Sequence, residues 1–368
     1  MACFSHTGVR QHMSVSKRAI VGCLVCLAAC ADQGPLPTAA DTQRSLCSPG
    51  QAGQDYDPEV GSWRLLVPPH GQGSNGRPVS VDAVLDNCDS FASVAHDSGP
   101  GGKIYQPGPA QLLWSADGQR WESRDMATQA FFRSIAFGAG TWVAVGERMG
   151  AGVISVSKHA DASQWREVFG HSMYFRSVAS GAGKFVAVTQ AGIAVSRDGE
   201  RWQWATLPDT RALYFEVAYG AGRFVVAGVG ATLSSVDGEK WTETGCGSAG
   251  CPAIQPPTGP ASTAIALQQV HYVAGAFYAS GGSGQLRSKD GLTFEPYAGE
   301  HVPELAMAGK LLSLVQTPGE APSALAVSKD EGQSWSQLPL AAASASADCG
   351  RELCLVAGQS LLIFDPRE

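Results

Sequence analysis

The sequence predicts an all-β protein, a seven-bladed β-propeller, from three observations. A serine, any residue, an aspartate and a glycine, followed a few positions on by an aromatic, occur together five times at nearly even spacing. The stretch before the middle copies reads as two short apolar runs divided by a glycine-rich turn. The two chain ends look like parts of one unit, since Gly61-Ser62-Trp63-Arg64-Leu65 matches Gln333-Ser334-Trp335-Ser336-Gln337 while the C-terminal tail has only three apolar runs. Units of this kind bury their apolar faces only by stacking on their neighbours. A six-bladed ring, with the tail as an appendage, is the competing architecture.

Taken in order, the chain opens on a basic segment with Lys17 and Arg18 and an apolar run from Ala19 to Ala29 that is too short to span a bilayer. It reads as an export signal over residues 1–29, with Met13 as a second possible start. Leu27-Ala28-Ala29-Cys30 resembles the bacterial lipobox. That resemblance implies a diacylglycerol on Cys30 and a membrane-anchored lipoprotein of the bacterial envelope, with Ala31 and Asp32 favouring the outer membrane; an ordinary secretory signal is the alternative. Residues 30–59 lack apolar periodicity and are rich in Ala, Gln, Gly and Pro, which marks a flexible tether reaching roughly 30 Å. Residues 60–368 form the propeller.

Within it, Phe132-Arg133-Ser134-Ile135-Ala136-Phe137, Gly138-Ala139-Gly140 and Trp142-Val143-Ala144-Val145 give two strands and a tight turn. The same unit returns at Phe175–Val188 and Phe215–Val226. A third strand, such as Ile193–Ser196, leads into the Asp-Gly turn, and a fourth opens at the aromatic, so each unit is a four-stranded blade. The first blade spans residues 79–124 with an insertion at 97–110. A strand at Trp63 is expected to pair with the closing tail, which leaves no open sheet edge.

The repeated turn resembles the Asp-box, or bacterial neuraminidase repeat, of sialidase-like propellers. The copies carry Asp117, Asp198, Asp237, Asp290 and Asp330, with Trp121, Trp202, Trp241, Phe294 and Trp335; only the Ser328 copy has the full spacing, and an eroded copy keeps Ser157, Asp161 and Trp165. The resemblance implies a turn between third and fourth strands, away from any ligand face. A short carboxylate accepting main-chain N–H groups and a glycine in a left-handed conformation account for it structurally. Metal binding by aspartates on separate blades is not expected.

Residues 1–29 carry three bases and no acid, so the net charge of −7 becomes −10 once they are removed. With lysine and arginine scattered singly, nucleic acid is not an expected partner. Seven cysteines remain from Cys30 on. In an exported chain the six after it read as disulfides, Cys246 with Cys251, Cys349 with Cys354 and Cys47 with Cys88, the last closing a loop worth about 4 kcal/mol.

No cofactor or metal is expected, nor a catalytic constellation. Sialidases bind the substrate carboxylate with arginines, the first in a Phe-Arg-Ile-Pro motif; Phe132-Arg133 and Phe175-Arg176 share two letters and are explained as repeat positions. The expected ligand face lies opposite the Asp-Gly turns, where loops carry Lys103 and Tyr105, Arg148, His171 and Tyr174, Asp209 and Arg211, and Glu300 and His301. Thr244–Leu267 is the longest connection on that face. The expected function is a monomeric, non-catalytic module binding a protein or glycan there; a glycoside hydrolase using Asp209 and Glu300 is the alternative.

Overall fold

The computed structural model describes residues 62–66, 80–86, 90–96, 109–116, 120–208, 212–246, 266–282, 284–307, 310–315, 324–339, 344–349, 354–358 and 361–365. Every element among them is a β-strand. The protein is an all-β propeller, and the described strands pair into seven sheets.

In chain order, β1 (Ser62–Leu66) comes first and does not pair with its neighbours in sequence. One antiparallel sheet holds β2 (Ser80–Asp86), β3 (Phe91–His96), β4 (Ala110–Ser115) and β5 (Glu122–Asp125). The next holds β6 (Phe131–Gly138), β7 (Thr141–Arg148), β8 (Ala151–Ser157) and β9 (Arg166–His171). Then come β10 (Phe175–Gly181), β11 (Lys184–Thr189), β12 (Ile193–Ser196) and β13 (Trp202–Trp204), followed by β14 (Leu213–Gly220), β15 (Arg223–Val229), β16 (Leu233–Ser235) and β17 (Thr242–Glu243). After β18 (Gly245–Cys246), a sheet is built from β19 (Gln269–Val273), β20 (Ala276–Gly281), β21 (Gly284–Ser288) and β22 (Thr293–Pro296). The sixth holds β23 (Leu305–Met307), β24 (Lys310–Val315), β25 (Ala324–Ser328) and β26 (Ser336–Pro339). The tail gives β27 (Ser344–Cys349), β28 (Cys354–Gly358) and β29 (Leu361–Asp365), and β1 pairs antiparallel with β29, placing Trp63 opposite Phe364.

The innermost strands touch in sequence, β2 to β6, β10, β14, β19, β23 and β27, and β27 returns to β2. β18 departs from the expected pattern. The Thr244–Leu267 connection is not loop throughout, because its first residues lie parallel to β22 as a fifth strand.

The core sits between sheets. One cluster joins Val143, Val145 and Ile154 of the second sheet to Phe175, Phe185 and Trp202 of the third, and a second joins Val186 and Val188 to Tyr214, Phe224 and Trp241. The aromatic after the Asp-Gly turn therefore fills the space against the preceding sheet, and where it is a tryptophan its indole N–H helps hold it: Trp202 donates to the Gly199 carbonyl at 2.8 Å and Trp241 to that of Gly238 at 2.9 Å. In the turn, Ser196 Oγ accepts the Gly199 N–H at 2.9 Å and donates to Asp198, whose Oδ1 accepts the N–H groups of Glu200 and Arg201 at 2.9 and 2.8 Å. The same bonds recur around Asp237, Asp290 and Asp330; Asp117 lies outside the described residues. Even the eroded copy keeps its indole bond, from Trp165 to Ala162 at 2.7 Å, with Ala162 at a left-handed φ of 52°.

The glycine-rich turns work differently from the expectation. In Gly181-Ala182-Gly183 the left-handed pair is Ala182 and Gly183, at φ 49° and 69°, the two central residues of a type I′ hairpin. Gly181 serves packing instead: a Cβ there would lie 2.1 Å from the Tyr219 ring of the next sheet, and one at Gly220 would lie 2.0 Å from Tyr272.

Candidate functional site

The ring has two faces. The type I′ hairpins and the Ser-Asp-Gly turns share one; the turns between second and third strands and the connections between sheets share the other, which we call the funnel face. β6, β10 and β14 enter the channel from it, and each carries a β-bulge at its start, at Arg133, Arg176 and Phe215. A bulge re-aims a side chain out of the ladder. The three bulge residues, on three neighbouring strands, form one wall of the funnel together with Tyr174.

Arg176 is the centre of that wall. Its guanidinium lies 5.1 Å from the Tyr174 ring and 4.7 Å from the Phe215 ring, and its Nη2 donates to the Tyr174 hydroxyl at 2.7 Å. Gln190 Nε2 donates to the same hydroxyl at 3.2 Å. Arg133 also lies over the Tyr174 ring, at 5.4 Å, and is ion-paired with Glu147.

One position deeper, a repeated latch crosses from sheet to sheet. The free edge of an innermost strand presents N–H groups with no ladder partner, which need another acceptor. Ser134 Oγ accepts the Val178 N–H at 3.1 Å, and Ser177 Oγ accepts that of Val217 at 3.3 Å. At the equivalent place stands Glu216, whose carboxylate accepts the Val270 N–H at 3.1 Å. Deeper still, counting back from the hairpins, Glu304 stands where Ile135, Val178, Val217 and Val270 stand, and His271 where Ala136, Ala179 and Ala218 stand. Glu304 accepts the Leu314 N–H at 3.1 Å and the Ser313 hydroxyl at 3.3 Å.

These two carboxyls keep some surface open to the channel but are closely surrounded by protein. Desolvation pushes Glu216 up to about 7 against the Val270 hydrogen bond. Desolvation also raises Glu304; His271 opposes the rise, and the charge of Glu216 adds to it. The charges of groups on the two preceding sheets thus reach Glu304. Among the described residues no group of acids, histidines and cysteines is arranged to hold a metal.

The predicted site residues fare unevenly. Tyr174 is in the wall. His171 packs 4.5 Å from the Trp204 ring and its Nδ1 accepts the Met173 N–H at 3.1 Å. Arg148 is at the face but forms a two-pronged ion pair with Glu167, at 2.9 and 3.1 Å. Glu300 and His301 lie away from the funnel wall, the histidine 5.5 Å edge-on to Trp335 and in contact with Gln337 of the outermost strand β26. Lys103, Tyr105, Asp209 and Arg211 lie outside the described residues, as do Cys30, Cys47, Cys88 and Cys251. Cys246 lies in β18, and Cys349 and Cys354 are register partners across β27 and β28.

Sequence reasoning missed Phe215, Glu216, His271 and Glu304. The signal was available: superposed on the repeat, they replace an arginine, a serine, an alanine and a branched aliphatic. It also missed the apolar character of this face, where Met149 is 74 % exposed, Leu213 45 %, Trp204 44 % and Met173 37 %. A cleft of about 420 Å³ does exist on the opposite face, lined by Arg197, Asp198, Arg201 and Glu239. Its charges already satisfy one another, Arg197 with Glu239 and Arg201 with Asp198, so it offers a ligand little.

No family model matches this chain, and no curated protein does. Solved structures do. The WD40 β-propeller domain of Doa1 is similar at a TM-score of 0.54 and 13 % identity, over 83 % of this chain and 97 % of that one. Virginiamycin B lyase from Staphylococcus aureus, as a catalytically inactive variant with quinupristin, gives 0.56 at 10 % identity, over 83 % and 99 %. YCF48 from Cyanidioschyzon merolae gives 0.50 at 12 %, again over 83 % and 99 %. Likeness at these identities establishes the propeller fold alone.

Proposed function

We propose that this chain is a seven-bladed propeller of the Asp-box kind, tethered to a bacterial envelope membrane through a lipid on Cys30, and that it is a non-catalytic module binding a protein or glycan at its funnel face. The blade number rests on the seven sheets, on β1 completing the sheet of the closing tail, and on the cyclic contact of the innermost strands. The anchor rests on the sequence of the first thirty residues, and the disulfides on cysteine number and on the facing of Cys349 and Cys354.

The observation that carries the binding reading is the wall itself. Aromatic and arginine side chains dominate recognition surfaces because they combine large contact area with directed hydrogen bonds. Here Tyr174, Arg176 and Phe215 are locked against one another at the funnel mouth, on a face that also exposes Met149, Met173, Trp204 and Leu213. The full chain should retain a component from envelope extract or a glycan array, and Tyr174→Ala and Trp204→Ala should each weaken retention while Val236→Asp, in an Asp-Gly turn of the other face, leaves it intact. Equal retention by all three variants would refute the reading.

One observation favours a second reading, a glycoside hydrolase. Glu216 and Glu304 are a carboxylate pair whose environment favours protonation, as a general acid requires. Turnover of aryl glycosides that Glu216→Gln or Glu304→Gln abolishes would establish hydrolysis in place of binding.

A further inference from the structure

The joint between the fifth and sixth sheets is built differently from those before it. Val143, Val145, Ile154 and Val156 fill the joint from the second sheet to the third, and Val186, Val188, Ile193 and Val195 that from the third to the fourth. Matched by register, the same four positions of the fifth sheet hold Tyr278, Ser280, Gln285 and Arg287. His271 and Glu304 add two more polar side chains where the repeat has an alanine and a branched aliphatic. Among the described residues, apolar packing across this joint gathers at its hairpin end, where Val273, Ala276 and Tyr278 meet Leu311. Gln285 Oε1 and Arg287 Nε are buried without a hydrogen-bond partner, so water reaching them would stabilise them.

Two fastenings are replaced as well. Gln269 stands where Ser134, Ser177 and Glu216 accept an N–H across the joint, yet its Oε1 accepts the Ser280 hydroxyl of its own sheet at 2.9 Å. The Glu304 N–H, counterpart of those of Val178, Val217 and Val270, donates to Leu312 of its own sheet at 2.9 Å. On the opposite face, Lys158 and Arg166 reach from the second sheet to Glu200 in the turn of the third, and Lys184 and Arg197 from the third to Glu239 in the turn of the fourth. At that place in the turn of the sixth sheet stands Gln333, which carries no charge to pair.

Local opening occurs where few buried apolar contacts and few hydrogen bonds oppose it. We propose that the joint between the fifth and sixth sheets is a hinge in the ring. It opens at its funnel end, between Gln269 and Ser280 on one side and Glu304 and Ser313 on the other, about the apolar contact at its hairpin end. Each sheet keeps its own ladder, β1 stays paired with β29, and the funnel widens. The inference does not depend on what the funnel binds.

The test is alkylation of an introduced thiol in the native full chain with iodoacetamide, read from the mass of the peptide that holds it. Ala326 of the sixth sheet and Ala194 of the third occupy one repeat position, and both are fully buried. The thiol of Ala326→Cys should react at least ~10-fold faster than that of Ala194→Cys, an opening free energy lower by about 1.4 kcal/mol. Low urea should leave that faster rate unchanged, because a local opening exposes little surface. Gln285→Ile, which restores the residue type of Ile154 and Ile193, should slow the first reaction and not the second. Should Ala326→Cys fail to fold, Ser313→Cys against Ala187→Cys makes the same comparison one strand further in. Equal rates within the pair, a sixth-sheet rate that climbs with urea as steeply as global unfolding, or no slowing by Gln285→Ile would overturn the assignment.

Discussion

Glu216 of β14 accepts the main-chain N–H of Val270 at 3.1 Å, across the gap between two sheets and at the repeat position where Ser134 and Ser177 make the same bond. A serine latch is neutral at every pH; a carboxylate latch is not. Burial holds the Glu216 carboxyl up at about 7, above its ordinary 4.5. A carboxyl raised on folding stabilises the protein fully below the unfolded value, and that contribution is lost as pH rises from 4.5 through about 7.

Glu216→Gln keeps an acceptor for Val270 and removes the charge. Chemical denaturation as a function of pH should therefore show the variant more stable than wild type above neutrality, by about 1 to 3 kcal/mol, and the two converging in acid. Equal pH dependence of both proteins would show that the channel does not desolvate this group.

Gly181 and Gly183 sit in one turn and do different jobs. Ala at 181 would place its Cβ 2.1 Å from the Tyr219 ring, and overpacking of that kind costs about 1 to 3 kcal/mol. Ala at 183 would meet no atom and would strain only the backbone, at φ 69°, by roughly 1 to 2 kcal/mol. Tyr219→Ala should rescue part of the first loss and none of the second. Thermal melts of the four variants check this.

The Asp-Gly turns set the acid limit. The Arg201 N–H holds the Asp198 carboxylate down at about 2, with help from Glu200 and Ser196, and the Ser334 hydroxyl and N–H do the same for Asp330. A carboxyl lowered on folding stabilises above its unfolded value of 3.8, and the gain is lost as pH falls through about 2. Asp198→Asn should flatten the loss of stability across that window and lower stability at neutral pH, where its turn loses charge-assisted bonds. An acid limb identical to wild type would exclude Asp198 as a contributor.

Cys349 and Cys354 face each other in register between β27 and β28. Digestion of the protein purified under oxidising conditions, without reductant, should yield one peptide holding both, linked, and Cys349→Ser should free a thiol at Cys354. Two free thiols in the untreated protein would exclude the bridge.

The repeat made most of this fold legible. Spacing of Asp-Gly turns located the third and fourth strands, and the likeness of the Trp63 segment to the Trp335 segment located the strand that pairs with β29. The parallel β18 was not legible, because a pairing of two residues leaves no periodicity. The site was only partly legible. Rim residues were chosen by loop position, but whether Arg148 is free or spent on Glu167 depends on a partner nineteen residues away. Arg133 and Arg176 look alike in sequence; what separates them is Glu147, which neutralises one and leaves the other.

The central claim is that recognition belongs to the funnel wall and not to the Asp-Gly turn face. The most direct measurement is hydrogen–deuterium exchange of the full chain with and without an envelope component that it retains. Protection is expected at Tyr174–Ser177, Gln190–Gly192 and Leu213–Glu216, with none at Arg197–Arg201 or Asp237–Lys240. Protection confined to those turns, with the strand starts of β10 and β14 unchanged, would contradict it.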